Sequence, residues 1–173
     1  AMEFLKGGYY VFMNNIKIRL ITAADNPIIA DIIRTNLKKV NLDIPGTAYF
    51  DSELDSLSAY YLFMPEKRAY FIAEDEQILG GVGVAEFENI DSCAEIQKLY
   101  LTDAAKGKGI GRMLMQTAED FAKDMKYKKL YLETHSDLKA AIHLYEKLGF
   151  KEINRPDFVL HSTMDKFYIK ELS

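Results

Sequence analysis

The sequence predicts one mixed α/β domain in which strands and helices alternate along the chain. Short segments with the two-residue alternation of strands are interleaved with longer segments that have the helical period. The chain contains no repeat and no linker that would divide it, and 173 residues with 49% hydrophobic side chains suffice for one sizeable core. We therefore expect residues 1–173 to form a single domain. Residues 1–15 are interpreted as an N-terminal extension, either disordered or derived from cloning, because Ala1 precedes Met2 and Met13 offers a second start.

The first half of the chain begins with a strand and continues into helices. Ile16, Ile18 and Leu20 alternate with polar residues, and Pro27 lies near the start of an amphipathic segment that extends to Leu37. The predicted order is a strand over 16–20, a helix over 27–37, a loop over 41–51 and a second helix over 53–63.

The second half contains more strands, and two of them flank a polar turn at residues 74–77. A third helix is predicted from the recurrence of apolar residues between Ile110 and Met125. The order is strands over 70–73, 80–87 and 93–101, a helix over 110–126, a strand over 130–132, a helix over 138–148 and an extended tail over 164–172.

A glycine-rich loop, K-G-K-G-I-G-R from Lys106 to Arg112, joins the third of these strands to its helix. Glycines leave backbone N–H groups accessible to an anion, and the helix that starts here adds the positive end of its dipole. Lys106, Lys108 and Arg112 add positive charge. The spacing is neither G-x-G-x-x-G, because Arg112 stands at the third glycine position, nor that of an ATP- or GTP-binding loop. The loop predicts a binding site for pyrophosphate.

This loop and a second motif resemble one known family. K-G-K-G-I-G is close to the Q/R-x-x-G-x-G/A pattern of the GCN5-related N-acetyltransferase (GNAT) family, and residues 141–150, A-I-H-L-Y-E-K-L-G-F, are similar to that family's A-x-x-L-Y-x-x-x-G-F segment. The resemblance covers about residues 70–155. It implies a central mixed, mostly antiparallel sheet flanked by helices, in the order β-α-α-β-β-β-α-β-α-β-β. It also implies acetyl-coenzyme A as co-substrate and no metal.

The resemblance also implies how the co-substrate is held. The glycine loop would bind the pyrophosphate, and the preceding strand would separate from its neighbour and offer the backbone groups of Leu99 and Leu101 to the pantetheine amides. The implied binding residues are Leu99, Tyr100, Leu101, Lys106, Gly107, Lys108, Gly109, Ile110, Gly111 and Arg112.

Two residues are candidates for catalysis. By resemblance, Tyr145 would donate a proton or a hydrogen bond to the departing thiolate, although its helical position also fits a core tyrosine. Glu95 is our first candidate for the general base, and strand alternation predicts that it lies on the same side as Leu99. The competing carboxylates are Glu133, Glu86 and Glu88.

The sequence departs from the family pattern at three positions. Lys106 replaces the usual Gln or Arg, Asp103 stands where proline is common, and Leu138 stands where many members have an asparagine that contacts the co-substrate. We expect His135 or Ser136 to replace that last contact, unless it is absent.

Composition limits the remaining alternatives. A net charge of −4 and a pI near 5.5 argue against nucleic acid as a partner, and no apolar run is long enough to span a membrane. The lone cysteine, Cys93, is expected to be a buried side chain rather than a nucleophile, and it favours a reducing, cytoplasmic location. The three histidines are too scattered to predict a metal site.

The predicted function is transfer of an acetyl group from acetyl-coenzyme A to a primary amine of a small molecule or peptide, by direct attack in a ternary complex. The alternatives are a non-catalytic acyl-coenzyme A sensor, and an acyltransferase that uses another acyl group or a hydroxyl acceptor. Assembly as a homodimer is left open.

Overall fold

The computed structural model describes residues 2–5, 8–13, 15–160 and 162–173, which it arranges around one sheet. Its helices are α1 (Asn26–Lys39), α2 (Leu57–Phe63), α3 (Ile110–Asp124) and α4 (Lys139–Lys147). Its strands are β1 (Met2–Leu5), β2 (Gly8–Met13), β3 (Ile16–Leu20), β4 (Ala69–Glu74), β5 (Ile78–Glu86), β6 (Cys93–Leu101), β7 (Lys129–Thr134), β8 (Lys151–Ile153) and β9 (Lys166–Glu171). In this described part of the chain, no helix has the length and apolar character needed to cross a membrane.

The sheet has the order β1-β2-β3-β4-β5-β6-β7-β9-β8. Every neighbouring pair is antiparallel except β6 and β7, which are parallel. From β3 onward the order of strands and α-helices is the predicted one, so the expected mixed, mostly antiparallel fold is confirmed. The segment interpreted as an extension contributes β1 and β2, which lengthen the sheet beyond β3. Its origin stays a prediction.

Helices cover both faces of the sheet. Helices α3 and α4 pack on one face and α1 and α2 on the other, and each pair has its own cluster of buried apolar side chains. Strand β4 shows why both clusters are needed: Phe71 and Ala73 belong to the α3 side, whereas Tyr70 and Ile72 belong to the α1 side. A strand buried on both faces is continuously apolar, as the sequence of β4 is.

The helices begin and end where local sequence favours it. Helix α1 has Pro27 in its first turn, a position that needs no N–H donor, and its last turn carries Lys38 and Lys39. Helix α2 begins at Leu57 rather than near residue 53, because residues 54–56 form a 3-10 turn. Helix α3 buries one apolar stripe, consisting of Ile110, Leu114, Met115, Ala118, Phe121 and Ala122.

A β-bulge interrupts β6 at Lys98. Gly83 is opposite Gln97 and Gly81 is opposite Tyr100, so two residues of β6 face the single residue between those glycines. Lys98 has a φ of +50°, in the left-handed region. Its carbonyl accepts a hydrogen bond of 3.0 Å from the hydroxyl of Tyr70. An extra residue of this kind reverses the alternation of the side chains that follow it.

The bulge makes one of the sequence predictions wrong. Glu95 was expected on the side of Leu99, but it is opposite Ala85, whose side chain lies on the α1 face. Leu99 packs against the α3 cluster, and Tyr100 packs against the α1 cluster. The alternation rule fails here because it assumes a strand without an inserted residue. Glu95 therefore shares its face with Tyr100.

The Tyr70 hydroxyl should stabilise the bulge measurably. Tyr70→Phe keeps the ring and removes the donor to the Lys98 carbonyl, so we expect the free energy of unfolding in urea to fall by about 1–2 kcal/mol. The matched control is Tyr127→Phe, which removes a 3.1 Å hydrogen bond to the Lys67 carbonyl at the surface. The control should change stability by less than about 0.5 kcal/mol. Equal losses in the two variants would contradict a special role for Tyr70.

Candidate active site

A cavity opens where β6 and β7 separate. The two strands pair at only three positions, from Cys93 with Lys129 to Glu95 with Tyr131. Beyond these pairs β6 continues to Leu101 and β7 to Thr134 without contacting each other through the ladder. A cavity of about 560 Å³ lies in this region. Its wall includes β6 residues 95–101, Asn36 and Lys39 of α1, Gly46, Thr47 and Ala48, Glu133 and Thr134 of β7, and Ala141, Leu144 and Tyr145 of α4.

The glycine loop lies beside this cavity and leads into α3. Gly107 and Gly109 have φ values of +75° and +73°, which glycine adopts without strain. A Cβ atom added to either glycine would meet no atom within 4 Å, so the space beside both is open. The first intrahelical bond runs from the Met113 N–H to the Gly109 carbonyl, which leaves the N–H groups of residues 110–112 for another acceptor. The loop therefore fits a diphosphate.

An ion-pair network holds the start of this loop. Asp103 binds Lys39 of α1 at 2.6 Å and Lys106 at 2.9 Å. Hydrogen bonds from Lys39 and Lys106 lower the pKa of Asp103 to about 2. Asp103 stands where proline is common in the family. Its ion pairs with Lys39 and Lys106 connect the loop to α1. Lys108 and Arg112 are exposed on the same loop and helix start.

Tyr145 belongs both to the core and to the cavity wall. Its ring packs near Phe150 and Tyr168, with centroid distances of 5.9 and 6.3 Å. Burial raises the pKa of Tyr145 well above its usual value, so the hydroxyl stays protonated. Among the described residues this hydroxyl has no hydrogen-bond partner, although the residue lines the cavity. It is available as a donor to a bound molecule.

Glu95 lies on the cavity wall at the point where β6 and β7 separate. Its Oε1 accepts a 2.7 Å hydrogen bond from Gln97 Nε2, and Gln97 Oε1 accepts a 2.6 Å hydrogen bond from the Tyr61 hydroxyl. Burial raises the pKa of Glu95 to about 7; the Gln97 hydrogen bond opposes this shift and the nearby Glu133 adds to it. A carboxyl group with a pKa near neutrality is well suited to proton transfer.

The competing carboxylates differ in their surroundings. Glu86 forms an ion pair with Arg68, whose hydrogen bonds hold the pKa of Glu86 below its usual value, and it is not part of the cavity wall. Glu88 is exposed in the turn after β5. Glu133 does line the cavity, where its Oε2 accepts a 2.9 Å hydrogen bond from Tyr131. The cavity therefore brings together Glu95 and Glu133.

Asn36 is a wall residue that the sequence did not indicate. Its Nδ2 donates to the carbonyl of Leu101 at 2.8 Å and to that of Ile32 at the same distance. The Leu101 carbonyl, expected to face the pantetheine, thus already has one protein donor, although a carbonyl can accept two. An asparagine near the end of an amphipathic helix gives no sequence signal, because it has the pattern of an exposed polar residue.

The residues expected to replace the missing asparagine, His135 and Ser136, contact other protein groups. His135 Nδ1 accepts a hydrogen bond from the Asp137 N–H, and Ser136 donates its hydroxyl to Asp165 at 2.7 Å.

Cys93 is buried, and burial raises the pKa of its thiol to about 12, so the reactive thiolate is disfavoured. In the described ranges no group of three or more His, Cys, Asp or Glu side chains could hold a metal ion.

Comparisons with known proteins place this chain in a family. Residues 37–150 match the family model described as "Acetyltransferase (GNAT) family". The chain is 38% identical over 150 residues to the uncharacterized N-acetyltransferase YjgM of Escherichia coli K12, which covers 82% of this chain and 89% of that protein.

Two solved structures share the fold. A GNAT-family acetyltransferase from Staphylococcus aureus Mu50 has a TM-score of 0.80 at 20% identity and covers 91% of this chain and 99% of its own. YncA from Salmonella typhimurium, solved with its cofactor acetyl-coenzyme A, has a TM-score of 0.73 at 21% identity and covers 92% of this chain and 95% of its own. The chain belongs to the GNAT family and is an acetyl-coenzyme A-dependent N-acetyltransferase.

Proposed function

We propose that this enzyme transfers the acetyl group to a primary amine of a small molecule or peptide, by direct attack while both substrates are bound. The observation that carries the proposal is the cavity between β6 and β7, whose wall contains both Glu95 and Tyr145. A base for the amine and a donor for the sulfur are the two proton-handling groups that this reaction needs. A homodimer and a cytoplasmic location stay predictions.

The co-substrate would lie along the loop and β6. The N–H groups of Gly107, Gly109 and the first turn of α3 would bind the pyrophosphate, with Lys108 and Arg112 as mobile cations. The backbone of Leu99 and Leu101 would pair with the pantetheine, as an added strand does at a sheet edge. Tyr100 packs against the α1-side cluster and also lines the cavity, so it would contact the co-substrate there.

Glu95 would act first. The reacting amine is protonated at neutral pH, and Glu95 accepts that proton directly or through a water molecule. The amine nitrogen then forms a bond to the thioester carbonyl carbon. As the carbon–sulfur bond breaks, the nitrogen gives up a further proton to the departing thiolate, directly or through water, so that the products are the acetamide and the coenzyme A thiol. The pKa of about 7 keeps a large fraction of Glu95 ionised at neutral pH and still makes it a stronger base than a solvated glutamate.

Tyr145 would stabilise the departing sulfur. Its hydroxyl donates a hydrogen bond to the thiolate as negative charge develops there. The raised pKa of Tyr145 makes complete proton transfer to a thiolate uphill, so the hydrogen bond is the main contribution. Cys93 has no part in this scheme, since it is buried and its thiol is not activated.

A non-catalytic sensor of acyl-coenzyme A is the alternative from another class. A sensor needs the glycine loop but neither Glu95 nor Tyr145, so the presence of both on one cavity favours the enzyme. Release of free thiol from acetyl-coenzyme A in the presence of a panel of polyamines, amino acids, peptides and amino alcohols decides between them. Treating the product of an amino alcohol with hydroxylamine, which cleaves an acetyl ester and leaves an amide intact, would identify a hydroxyl acceptor.

Gly109→Asp should abolish binding of acetyl-coenzyme A in calorimetric titration. The new carboxylate would enter the open space beside the loop, where it repels phosphate. The control is Gly149→Asp, the same change at an exposed glycine with a φ of +90° outside the cavity wall. The control should bind normally. Normal binding by folded Gly109→Asp would contradict the loop assignment.

Tyr145→Phe should lower the maximal rate by about ten-fold to a thousand-fold, because one hydrogen-bond donor is lost in the transition state. Stability and affinity for acetyl-coenzyme A should hardly change, since the ring remains. The control is Tyr168→Phe, a buried neighbour whose hydroxyl contacts Glu146 instead of the cavity. Equal rates for wild type and Tyr145→Phe would leave Tyr145 as a core residue.

Glu95→Gln should lower activity most at neutral pH and less at high pH, where the amine is already deprotonated. Whereas Glu95→Gln lowers activity, it should raise the stability of the folded protein at high pH. Because the folded-state pKa of Glu95 is raised to about 7, its neutral form stabilises the fold at low pH, and this contribution is lost as the pH rises through about 7.

The variant should therefore be more stable than wild type above about pH 8, by on the order of 2 kcal/mol in urea denaturation. Glu133→Gln is the control for the activity measurement, because it removes the other carboxylate of the cavity. A larger loss of activity in Glu133→Gln than in Glu95→Gln would move the base assignment to Glu133.

A further inference from the structure

A hydrogen-bonded chain from α2 to β6 ends on Glu95. We propose that Tyr61 and Gln97 are positioning residues that fix the orientation and the protonation of Glu95, an inference that rests on the proposed role of Glu95 as the base. Neither residue belongs to the loop or helix motifs by which the family was recognised, and Tyr61 is 36 positions away from Gln97 in sequence.

The hydrogen bonds run in one direction, from the Tyr61 hydroxyl as the first donor to the Glu95 carboxylate as the last acceptor. The Tyr61 hydroxyl donates to Gln97 Oε1 at 2.6 Å, and Gln97 Nε2 donates to Glu95 Oε1 at 2.7 Å. With its oxygen occupied by a donor, the amide must turn its N–H group toward the carboxylate. No described residue hydrogen-bonds to the second oxygen of Glu95, so that oxygen is available to an amine or a water molecule in the cavity.

Tyr61 is a fixed donor. It is only 1% exposed, its ring lies 5.2 Å from that of Tyr70, and burial raises its pKa well above the usual value. Its approach to the sheet depends on Gly83, because a Cβ at that position would overlap the Tyr61 hydroxyl. The glycine-rich sequence of β5 therefore has a function: it lets a tyrosine of α2 reach the strand that carries the base.

The other charges around Glu95 are few. Glu133 of β7 raises the Glu95 pKa and Lys98 of β6 lowers it, and Lys98 is itself 3.4 Å from Asp51. Among the described residues, other titratable groups that interact electrostatically with Glu95 are Tyr60, Tyr61, Cys93 and Tyr131. The hydrogen bond from Gln97 is the larger of the two effects that favour the charged form of Glu95, so its loss should raise the Glu95 pKa.

Two variants interrupt the hydrogen-bonded chain from Tyr61 to Glu95 at different points. Tyr61→Phe deletes the terminal hydroxyl and frees the amide to rotate, so that its oxygen can face Glu95. Gln97→Met keeps the length of the side chain and removes the donor outright. The matched control is Tyr60→Phe, the adjacent half-buried tyrosine whose ring lies under Arg68 at 4.1 Å.

Carbon-13 NMR of glutamate-labelled protein measures the Glu95 pKa without any acceptor, with the signal assigned by its loss in Glu95→Gln. We expect the pKa to rise by about half a unit to one unit in Tyr61→Phe and in Gln97→Met, and to stay unchanged in Tyr60→Phe. The low-pH limb of kcat, measured with the best amine of the panel, should move upward by the same amount. The KM for acetyl-coenzyme A should not change.

The outcomes separate the two proposals. An unchanged Glu95 titration in folded Tyr61→Phe and Gln97→Met would overturn the positioning role. Should Tyr61→Phe fold poorly, Gln97→Met alone gives the same answer, because it acts directly on Glu95. A shifted titration without a shifted kcat profile would support the hydrogen-bonded chain and overturn the assignment of Glu95 as the base.

Discussion

The end of pairing between β6 and β7 at Glu95 is the constraint on which the rest of the site depends. Beyond this point β7 keeps its antiparallel ladder with β9, so it stays in the sheet while β6 diverges from it. The divergence opens the cavity and leaves main-chain groups of β6 without partners on β7. It also lets Tyr145 of α4 line the gap between the two strands. Separated strands would be costly without a ligand or donors for these groups, and Asn36 supplies one donor, to Leu101.

The bulge at Lys98 lets β6 present polar side chains to the α1 side before it and apolar side chains to the α3 side after it. Before the bulge, Glu95 and Gln97 face the α1 side, where Tyr61 can reach them. After it, the side chains of Leu99 and Leu101 turn into the α3 core. The two tyrosines that support this arrangement, Tyr61 and Tyr70, both require glycine on β5, because a Cβ at Gly83 or Gly81 would overlap their rings or hydroxyl.

Local patterns together with the family resemblance predicted most of the fold, and they named several residues that line the candidate site. Periodicity predicted the elements from β3 to α4 and an extended tail at β9, whereas β8 came only from the order that the family resemblance implies, and β1 and β2 were not predicted. The glycine loop was recognisable because its pattern lies in a few adjacent residues. The side of β6 on which Glu95 lies could not be predicted, because it depends on a bulge that only the pairing with β5 shows. Asn36 was missed, and Tyr61 was not connected with Glu95, for a similar reason: their partners, Leu101 and Gln97, are remote in sequence. The acceptor is not specified by any residue that the motifs identify.

The most direct test of this account is a crystal structure with a non-reactive thioether analogue of acetyl-coenzyme A. The account predicts that the pyrophosphate lies on the Gly107–Gly111 loop and that the acetyl group lies between β6 and β7. The Tyr145 hydroxyl should be within hydrogen-bonding distance of the sulfur, and the second oxygen of Glu95 should face the acetyl carbonyl carbon across the acceptor space. An analogue whose sulfur lies outside the gap between β6 and β7, with Tyr145 still packed in the core, would contradict it.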